Sequence, residues 1–553
     1  MSVKPKYCYS EADEGETPKV FDVIIRNAYV IDGTGSRRFK ADIGIEGLKI
    51  VKIGNLKSEK TVQTIDASGQ VASPGFIDMH SHSDFTLLIN PKAESKIRQG
   101  ITTEVIGNCG SSAAPLNETV KEEIRKTMPI IEETGLELHW TSMKEFLDRL
   151  EKQRIAVNVV PLVGHGNIRV YTMGFDNRAP TETELEEMKK QLAKAMEEGA
   201  FGMSTGLIYP PSCYAKTGEL IELSKVVANY GGIYASHIRG EGDRLFSSVK
   251  EAIRIGEKAK VPVEISHHKA GGRANWGKVG ETLRMIDEAR AKGVDVTCDV
   301  YPYIAGSFGL ASMLPHWAHE GGSEKLLERL KDPKNREKLR KEMEEGTPEW
   351  GSPLKAAEWD ATIIARSKKH PEFEGKSVKE IAGSRGIDPF EFVFDLLIEE
   401  SAAVSVIRFA MCEEDVRLVM QHPFSMVGTD SSAAAPYGVL GQGKPHPRGY
   451  GTFPKVLGRY VREEKALTLE NAVRKMTSLP AIKLGLRDRG LIKEGMYADI
   501  TIFNPETILD KATYAEPHQY PEGIEYVLVN GKVTIERNDH TEASAGKALR
   551  KHI

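Results

Sequence analysis

Two histidines, His80 and His82, close a short apolar run and are well placed to do chemistry together. The run, residues 71–77, predicts a β-strand, and side chains alternate in direction along a strand. The two imidazoles therefore point the same way and can bind one ion together. An isolated pair of this spacing is equally typical of ordinary surface histidines, so the interpretation depends on whether other ligands join it.

Four more candidate ligands lie at or just after short β-type runs, namely Cys109, His237, His267 and Asp430. Packing alone would explain any one of them, since a lone cysteine is often a small buried hydrophobe. Their recurrence at successive strand ends instead predicts a metal site. Imidazole, carboxylate and thiolate are ligands of Zn²⁺, which lowers the pKa of bound water from about 15.7 to about 7. Asp430 is then a candidate to accept a proton and pass it to a leaving group, which indicates hydrolysis of a polarised carbonyl.

Eight β-type runs separated by helical patterns must position these ligands. One helix is predicted to start at a capping box, Thr181 with Glu184, and to end at Gly199, and another spans residues 279–292. The pattern predicts an α/β protein with a (β/α)₈ TIM-like barrel over residues 73–485, whose catalytic groups gather at the carboxyl ends of the strands. The predicted strands are residues 71–77, 104–106, 156–160, 202–204, 232–236, 263–266, 294–297 and 425–428.

Two further features complete the predicted architecture. Strand and hairpin patterns at residues 20–72 and 486–537 predict one small β-sandwich domain, built from both chain ends and split by the barrel. Between the seventh and eighth barrel strands lies a Lys- and Glu-rich helical insertion, residues 311–420, with helical patterns at 323–345, 377–381 and 389–400. This insertion is either a solvated decoration or a lid over the barrel mouth.

Composition excludes several classes of function. A net charge of −4 over 553 residues gives no attraction to nucleic acid or to an anionic membrane. Five scattered cysteines without a C-x-x-C pair are not a disulfide framework, which favours a reducing cytoplasm. Residues 1–17 lack the apolar segment of a secretory signal, and no apolar run is long enough to span a membrane. We expect a cytoplasmic protein with a small-molecule substrate, and the sequence leaves its oligomeric state open.

The chain resembles the amidohydrolase superfamily in its H-x-H pair, its strand-end histidines, its late aspartate and the segment GMYADI at 495–500. Within that superfamily it is similar to the N-acyl-D-amino-acid deacylases, or D-aminoacylases, over residues 20–535. The motifs that carry this resemblance are GNCG at 107–110, GLIYP at 206–210, ISHHK at 265–269, YPY at 301–303 with Ser307, and HPRGY at 446–450.

The resemblance implies zinc held tightly by Cys109, His237 and His267, and a second, weaker or optional metal position near His80 and His82. It implies that Asp430 acts as the catalytic base and acid.

The resemblance also implies substrate contacts, and lysine and tyrosine side chains can indeed hold a carboxylate. These contacts are Tyr209, Lys269, Tyr301 and Ser307. Arg448 and Arg239 are further carboxylate candidates, because a guanidinium pairs bidentately, although a structural salt bridge is an equal interpretation for each. His268 is the alternative to His267 as ligand.

Related hydantoinases and dihydroorotases usually carry a carboxylated lysine at the end of strand four, where this chain reads STGLIY at 204–209. Cys109 would then supply the anionic ligand, which favours linear amides over cyclic ones. The segment GSFGL around Ser307 adds no cation and favours neutral or hydrophobic D-amino acids. We therefore predict zinc-dependent hydrolysis of N-acyl-D-amino acids to a carboxylate and a free D-amino acid. A cyclic amidase, a deaminase or a D-dipeptidase on the same fold, or a non-catalytic scaffold, are the alternatives.

Overall fold

A computed structural model describes residues 20–347 and 350–551 of the chain. The predicted absence of a secretory signal concerns residues 1–17, which lie outside the described residues. Among the residues described, no helix has the length and apolar character needed to cross a membrane. Cys109, Cys213, Cys298 and Cys412 are free thiols.

A barrel of parallel strands forms the centre of the molecule, as predicted. Two hydrogen-bonded ladders, β6–β7–β8 and β9–β10–β11–β12–β13–β17, make up its wall, and β9 directly continues β8. The wall closes between its first and last strands, where Met79 N donates to Val427 O at 3.3 Å. The strands are β6 (Phe76–Asp78), β7 (Ile101–Ile106), β8 (Asn158–Pro161), β9 (Val163–Gly164), β10 (Gly202–Gly206), β11 (Ile233–His237), β12 (Val263–Ile265), β13 (Val296–Val300) and β17 (Ser425–Val427).

Both ends of the chain contribute to one nine-stranded sheet, in the order β21-β20-β19-β18-β5-β1-β2-β3 with β4 beside β1. The antiparallel pair β5–β18 joins the N-terminal part to the C-terminal part. Strands from both chain ends pair in one continuous ladder, and the sandwich arrangement predicted from the sequence stays a prediction. The domain limits given above stay predictions. The strands are β1 (Val20–Val30), β2 (Phe39–Glu46), β3 (Lys49–Gly54), β4 (Lys60–Asp66), β5 (Val71–Pro74), β18 (Ile500–Phe503), β19 (Ile524–Val529), β20 (Lys532–Glu536) and β21 (Asp539–His540).

The first predicted barrel strand, residues 71–77, is in fact two strands that meet at Gly75. β5 pairs within the nine-stranded sheet, and β6 pairs with β7 in the barrel. The chain passes so close to its neighbour here that a Cβ on Gly75 would lie 2.2 Å from Thr102 Oγ1. A side chain would not fit here, so glycine is required at the residue where the chain passes from one sheet to the other.

The helices that surround the barrel run in chain order between its strands. Thr181 and Glu184 form the predicted capping box at the start of α7. The helices are α1 (Thr86–Ile89), α2 (Glu94–Ile97), α3 (Glu118–Thr127), α4 (Pro129–Thr134), α5 (Met143–Gln153), α6 (His165–Met173), α7 (Glu182–Glu197), α8 (Thr217–Asn229), α9 (Leu245–Ala259), α10 (Val279–Ala291), α16 (Glu413–Gln421), α17 (Arg448–Lys455), α18 (Leu469–Met476) and α19 (Ser478–Leu484), and a π-helical segment, Val456–Glu463, follows α17.

The insertion between β13 and β17 carries helices, as predicted, and also a small sheet that the sequence did not indicate. It contains an antiparallel sheet in the order β14-β16-β15 and its own apolar core, which includes Leu326, Leu339, Phe394 and Val406. The predicted helix 323–345 breaks at Asp332, whose side chain accepts from Lys334 N at the start of the next helix. The elements are β14 (Ala305–Gly309), α11 (Ser323–Lys331), α12 (Pro333–Glu345), α13 (Pro353–Ala356), β15 (Thr362–Arg366), α14 (Val378–Arg385), α15 (Pro389–Glu399) and β16 (Ser405–Phe409).

Candidate metal centre and substrate cavity

Three predicted histidine ligands, each from a different strand end, converge on the sulfur atom of Cys109. Cys109 Sγ lies 3.3 Å from His80 Nε2, 3.5 Å from His267 Nε2 and 3.7 Å from His237 Nδ1. Zinc bonds of about 2.0–2.3 Å place tetrahedral ligand atoms roughly 3.3–3.8 Å apart, so these separations fit a shared ion. The donor set suits zinc, because thiolate and imidazole are the ligands it prefers.

A second group of donors adjoins the first and shares the same cysteine. Asp430 Oδ1 lies 3.1 Å from His82 Nε2 and 3.5 Å from His80 Nε2. The atoms of the group His80, His82, Cys109 and Asp430 all lie within 4.8 Å of one another, as do those of Cys109, His237 and His267. The structure thus brings all six predicted residues together and offers donors for two neighbouring ions.

The surroundings of Cys109 favour the ionised form of its thiol. Burial by itself would raise its pKa, but the charge of His80 and hydrogen bonds from His237 and His267 hold the pKa of Cys109 well below its ordinary value of 9.0. A thiolate is the form that ligates metal. The local electrostatics therefore favour the role predicted for this residue.

Three residues of the centre have a backbone conformation that non-glycine residues rarely adopt. The φ angles of Cys109, His267 and Asp430 are 53°, 36° and 48°. Each such conformation costs on the order of 1–3 kcal/mol, and residues of this kind concentrate at functional sites. Here the strained residues follow β7, β12 and β17, where the chain turns each side chain toward the barrel mouth.

Two carboxylates that the sequence analysis missed lie behind the histidines, Asp299 buried and Glu241 partly buried. Glu241 Oε1 is 3.0 Å from His267 Nδ1, 3.9 Å from His237 Nε2 and 2.7 Å from Lys269 Nζ. Asp299 Oδ2 is 3.5 Å from His80 Nδ1, and its Oδ1 accepts from His267 N at 2.9 Å. Carboxylates in such positions fix the tautomer and orientation of ligand histidines. Asp299 lies near the end of β13. Because the predicted ligands also lie at strand ends, the same pattern could have identified this residue.

A fully buried lysine ties together the strands beneath the centre. Lys96 Nζ lies 2.7 Å from Asp78 Oδ2 and 3.4 Å from Glu104 Oε2, and all three side chains are inaccessible to solvent. It also donates to Thr429 Oγ1 and to Ser431 O, each at 2.7 Å. These partners belong to β6, to β7 and to the segment after β17, so the lysine fixes the relative positions of strands that carry metal ligands.

The predicted substrate contacts line one cavity of about 1020 Å³ that also reaches Cys109, His237 and Asp430. The aromatic ring of Tyr209 stands 5.0 Å from that of His237. The insertion contributes one wall of this cavity. The predicted contacts on the lining are Tyr209, Lys269, Tyr301, Ser307 and Arg448.

Arg448 occupies a central place in that lining. Its Nη1 lies 2.9 Å from Asp430 Oδ2, its Nη2 donates to Ser307 O at 3.2 Å, and its guanidinium lies 4.7 Å from the centroid of the Tyr301 ring. Burial opposes ionisation of Asp430, yet Arg448 and His267 hold the pKa of Asp430 well below 3.8. Arg448 thus keeps the candidate base ionised.

Two alternative candidates are engaged elsewhere. Arg239 pairs with Glu251 at 2.9 and 3.0 Å and donates to two backbone carbonyls, so it forms a structural salt bridge. His268 Nε2 lies 2.7 Å from Thr282 Oγ1. The histidine that meets Cys109 is therefore His267.

The structure adds one cation to the site that the sequence around Ser307 did not indicate. This cation is Arg408 on β16, which lines the same cavity. β16 pairs with β14, the strand of Ser307, so a residue distant in sequence supplies the charge. The end of β10 carries no lysine, as read from the sequence, and Ser204 there accepts a hydrogen bond from Gly110 N at 3.0 Å.

A barrel whose strand ends present histidines, a cysteine and an aspartate defines a metal-dependent hydrolase of the TIM-barrel class. Residues 63–535 match the model of the amidohydrolase family. The chain belongs to that family.

The chain is similar to several characterised members over almost its whole length. It is 38% identical to N-acyl-D-glutamate deacylase of Alcaligenes xylosoxydans xylosoxydans, over 92% of this chain and 93% of the relative. It is 35% identical to D-aminoacylase of the same organism, over 96% and 97% of the two chains, and 36% identical to its N-acyl-D-aspartate deacylase, over 94% and 92%.

Solved structures give the same relationship. The crystal structure of N-acyl-D-glutamate deacylase from Bordetella bronchiseptica, complexed with zinc and a phosphonate mimic of the tetrahedral intermediate, matches with a TM-score of 0.80 and 36% identity. The match covers 96% of this chain and all of that one. A D-hydantoinase structure, 15% identical with a TM-score of 0.54, shares the fold alone.

Proposed function

We propose that this protein is a zinc-dependent deacylase that hydrolyses the amide bond of N-acyl-D-amino acids to a carboxylate and a free D-amino acid. The observation that carries the proposal is the convergence of Cys109, His237 and His267 beside Asp430 at the mouth of a substrate-sized cavity. The near full-length similarity to deacylases of this type supports the linear amide and the D-configuration. We also infer a cytoplasmic location, which the free thiols of the described cysteines support.

The chain's own residues divide the metal-binding work between two positions. Cys109, His237 and His267 would hold one zinc tightly, and His80 and His82 would contribute to a second, weaker position beside it. Bound zinc supplies a Lewis acid that polarises the amide carbonyl and makes water acidic enough to ionise near neutral pH.

Asp430 is the proposed general base and acid. Its carboxylate faces both His80 and His82, and Arg448 keeps it ionised and therefore able to accept a proton. It takes the proton from the attacking water at a carboxylate oxygen and then delivers it to the amide nitrogen. Protonation of that nitrogen lets the amino acid leave as a neutral amine.

The substrate is positioned by groups on the cavity wall. The hydroxyl groups of Tyr209, Tyr301 and Ser307 are able to donate hydrogen bonds to the amide oxygen or to the α-carboxylate. The cations Lys269 and Arg448 both lie close to the Tyr301 ring. An α-carboxylate bound beside the Tyr301 hydroxyl is therefore near two positive charges. This arrangement predicts weak hydrolysis of substrates that lack an α-carboxylate.

The decisive experiment combines zinc analysis with a substrate panel. Wild-type protein and Asp430→Asn are assayed with N-acetyl-D-amino acids, their L-enantiomers and dihydrouracil, a cyclic amide. We expect the wild type to hydrolyse the D-substrates, and the variant to retain zinc while losing on the order of 10²–10⁴-fold in kcat.

Asp287→Asn is the matched control, because Asp287 is a half-exposed aspartate that pairs with His422 on the outside of the barrel. Its turnover should equal that of the wild type. Unchanged turnover in Asp430→Asn would remove that residue from the mechanism, and preferential hydrolysis of dihydrouracil would replace the proposed substrate class.

A further inference from the structure

A buried arginine on the cavity wall lacks an acidic partner. Arg408 is only 7% exposed, and among the described residues no carboxylate forms an ion pair with it. Three other cavity-lining cations differ in this respect, since Arg448 pairs with Asp430, Lys269 with Glu241 and Arg239 with Glu251. A buried unpaired charge is costly and therefore requires an explanation.

The protein satisfies only part of the Arg408 guanidinium. Its Nη2 donates to the carbonyl oxygens of Pro353 and Ala357 at the two ends of α13, the latter at 2.7 Å. Its Nε is buried without a hydrogen-bond partner, and no acceptor within the described chain meets Nη1. A guanidinium carries five N–H donors, so three of them have no acceptor among the described residues. Burial lowers the pKa of Arg408 to about 10, which leaves it charged at neutral pH.

The position of Arg408 relates it to the predicted substrate contacts. In the antiparallel pair β14–β16 it lies directly opposite Gly306, and opposite residues project from the same face of a sheet. A Cβ on Gly306 would lie 3.6 Å from Tyr301 Oη. The face of the β14–β16 sheet from which Gly306 and Arg408 project is therefore the face nearer Tyr301. Because Gly306 has no side chain, the arginine stem can extend across this face toward the cavity.

The presence of both positions in one cavity suits a substrate with two carboxylates. Tyr301 and Arg448 lie at the proposed α-carboxylate position, and Arg408 lies one strand away from the strand that passes them. Arg408 is on the strand next to that of Ser307, whose carbonyl accepts from Arg448, and both arginines line the same cavity. The group missing from the Arg408 environment is therefore an anion bound in the cavity that holds the α-carboxylate.

We propose that Arg408 binds the side-chain carboxylate of the substrate and that the enzyme prefers N-acyl derivatives of acidic D-amino acids, D-glutamate or D-aspartate. This inference rests on the proposed deacylase function and reverses the preference for neutral side chains that the sequence around Ser307 indicated. Arg408 is a specificity-determining residue and takes no part in bond cleavage.

The test compares isosteric substrates, N-acetyl-D-glutamate with N-acetyl-D-glutamine and N-acetyl-D-aspartate with N-acetyl-D-asparagine, on the zinc-loaded protein. We expect kcat/KM of the wild type to be at least about 10-fold higher for one acid than for its amide, because a site built to bind a polar group rejects analogues that leave it unpaired. In Arg408→Gln, kcat/KM for the acids should fall on the order of 100-fold. The values for the amides should stay within about threefold of the wild type, which also shows that the variant is folded.

Arg366→Gln is the matched control, because Arg366 lies on β15 of the same sheet but pairs with Glu133 outside this cavity. The acid-to-amide ratio should not change in this variant. If Arg408→Gln does not fold, the wild-type ratios alone decide the proposal.

Equal or higher rates for the amides in the wild type would overturn the inference, and so would a uniform loss for all substrates in Arg408→Gln. Either result leaves the deacylase function standing, since hydrolysis still occurs. A zinc-loaded wild type that hydrolyses none of the N-acyl-D-amino acids would instead overturn the proposed function itself.

Discussion

Replacement of Lys96 by methionine tests whether the buried charge network supports the barrel mouth. The change removes the cation and leaves Asp78 and Glu104 buried as unpaired carboxylates. Methionine fills a similar volume, so the perturbation is mainly electrostatic. Because the partners of Lys96 lie on the first, second and eighth strands of the barrel, loss of the lysine should weaken the point at which the barrel closes.

The structure supplies an internal standard for the size of this effect. Lys96 Nζ lies 2.7 Å from Asp78 Oδ2 with both side chains fully buried. Lys92 Nζ lies the same 2.7 Å from Glu542 Oε1, but those side chains are 37% and 67% exposed. Breaking a buried pair costs about 3–5 kcal/mol, whereas an exposed pair is screened by solvent and contributes far less. Burial, rather than distance, therefore predicts the difference between the two variants.

The measurement is urea denaturation of Lys96→Met and Lys92→Met, followed by tryptophan fluorescence and compared as midpoints at constant slope. We expect a large drop in midpoint for the first variant and almost none for the second. The double variant Lys96→Met/Glu104→Gln should recover part of the loss, because Glu104 is then no longer an unpaired buried carboxylate. Equal midpoints for the two single variants would refute the argument from burial.

Three further predictions concern the metal centre, the insertion and a helix end. Glu241→Gln should weaken zinc binding about 10–100-fold, measured by competition with a chelator, because the carboxylate orients the ligand histidine His267. Burial lowers the pKa of His316 and His319 from 6.5 to about 4. Both are neutral when folded but take up a proton near pH 6.5 when unfolded, so stability is complete above that pH and is lost as pH falls toward 4. The loss is up to about 3 kcal/mol for each histidine, and replacing both by glutamine should reduce the acid sensitivity of unfolding. Thr181→Ala should lower the free energy of unfolding, measured in urea, by about 1 kcal/mol, because the cap of α7 is lost.

The placement of the six candidate ligands at one rim was predictable from sequence because of a property of parallel strands. Once residues 71–77 and their successors are interpreted as barrel strands, their carboxyl ends must share one face. His237 and Asp430, separated by almost two hundred residues, are then neighbours by topology alone. The division of residues 71–77 between two sheets was not predictable in this way, because it depends on how closely Gly75 approaches Thr102 in three dimensions.

The three strands of the insertion had weaker signals. Ser405–Phe409 and Thr362–Arg366 contain β-branched runs that are typical of strands, but each lies among Lys- and Glu-rich helices. Ala305–Gly309 contains two glycines, which are depleted in strands. The local composition therefore indicated helix and loop, and only the antiparallel pairing of segments far apart in the chain reveals the sheet.

The ion-pair partners of the site residues could not be predicted from the sequence, because they too come from distant parts of the chain. A buried ion is tolerated only when something of opposite charge lies beside it, and such partners come from any part of the chain. At this barrel mouth Asp430 meets Arg448, Glu241 meets Lys269, and Asp78 meets Lys96, so each of these anions already has its cation. Arg408 breaks that pattern. If the pairing rule holds for the complex as it does for the free protein, the missing anion arrives with the substrate, and the unpaired arginine identifies which substrates the cavity was built to receive.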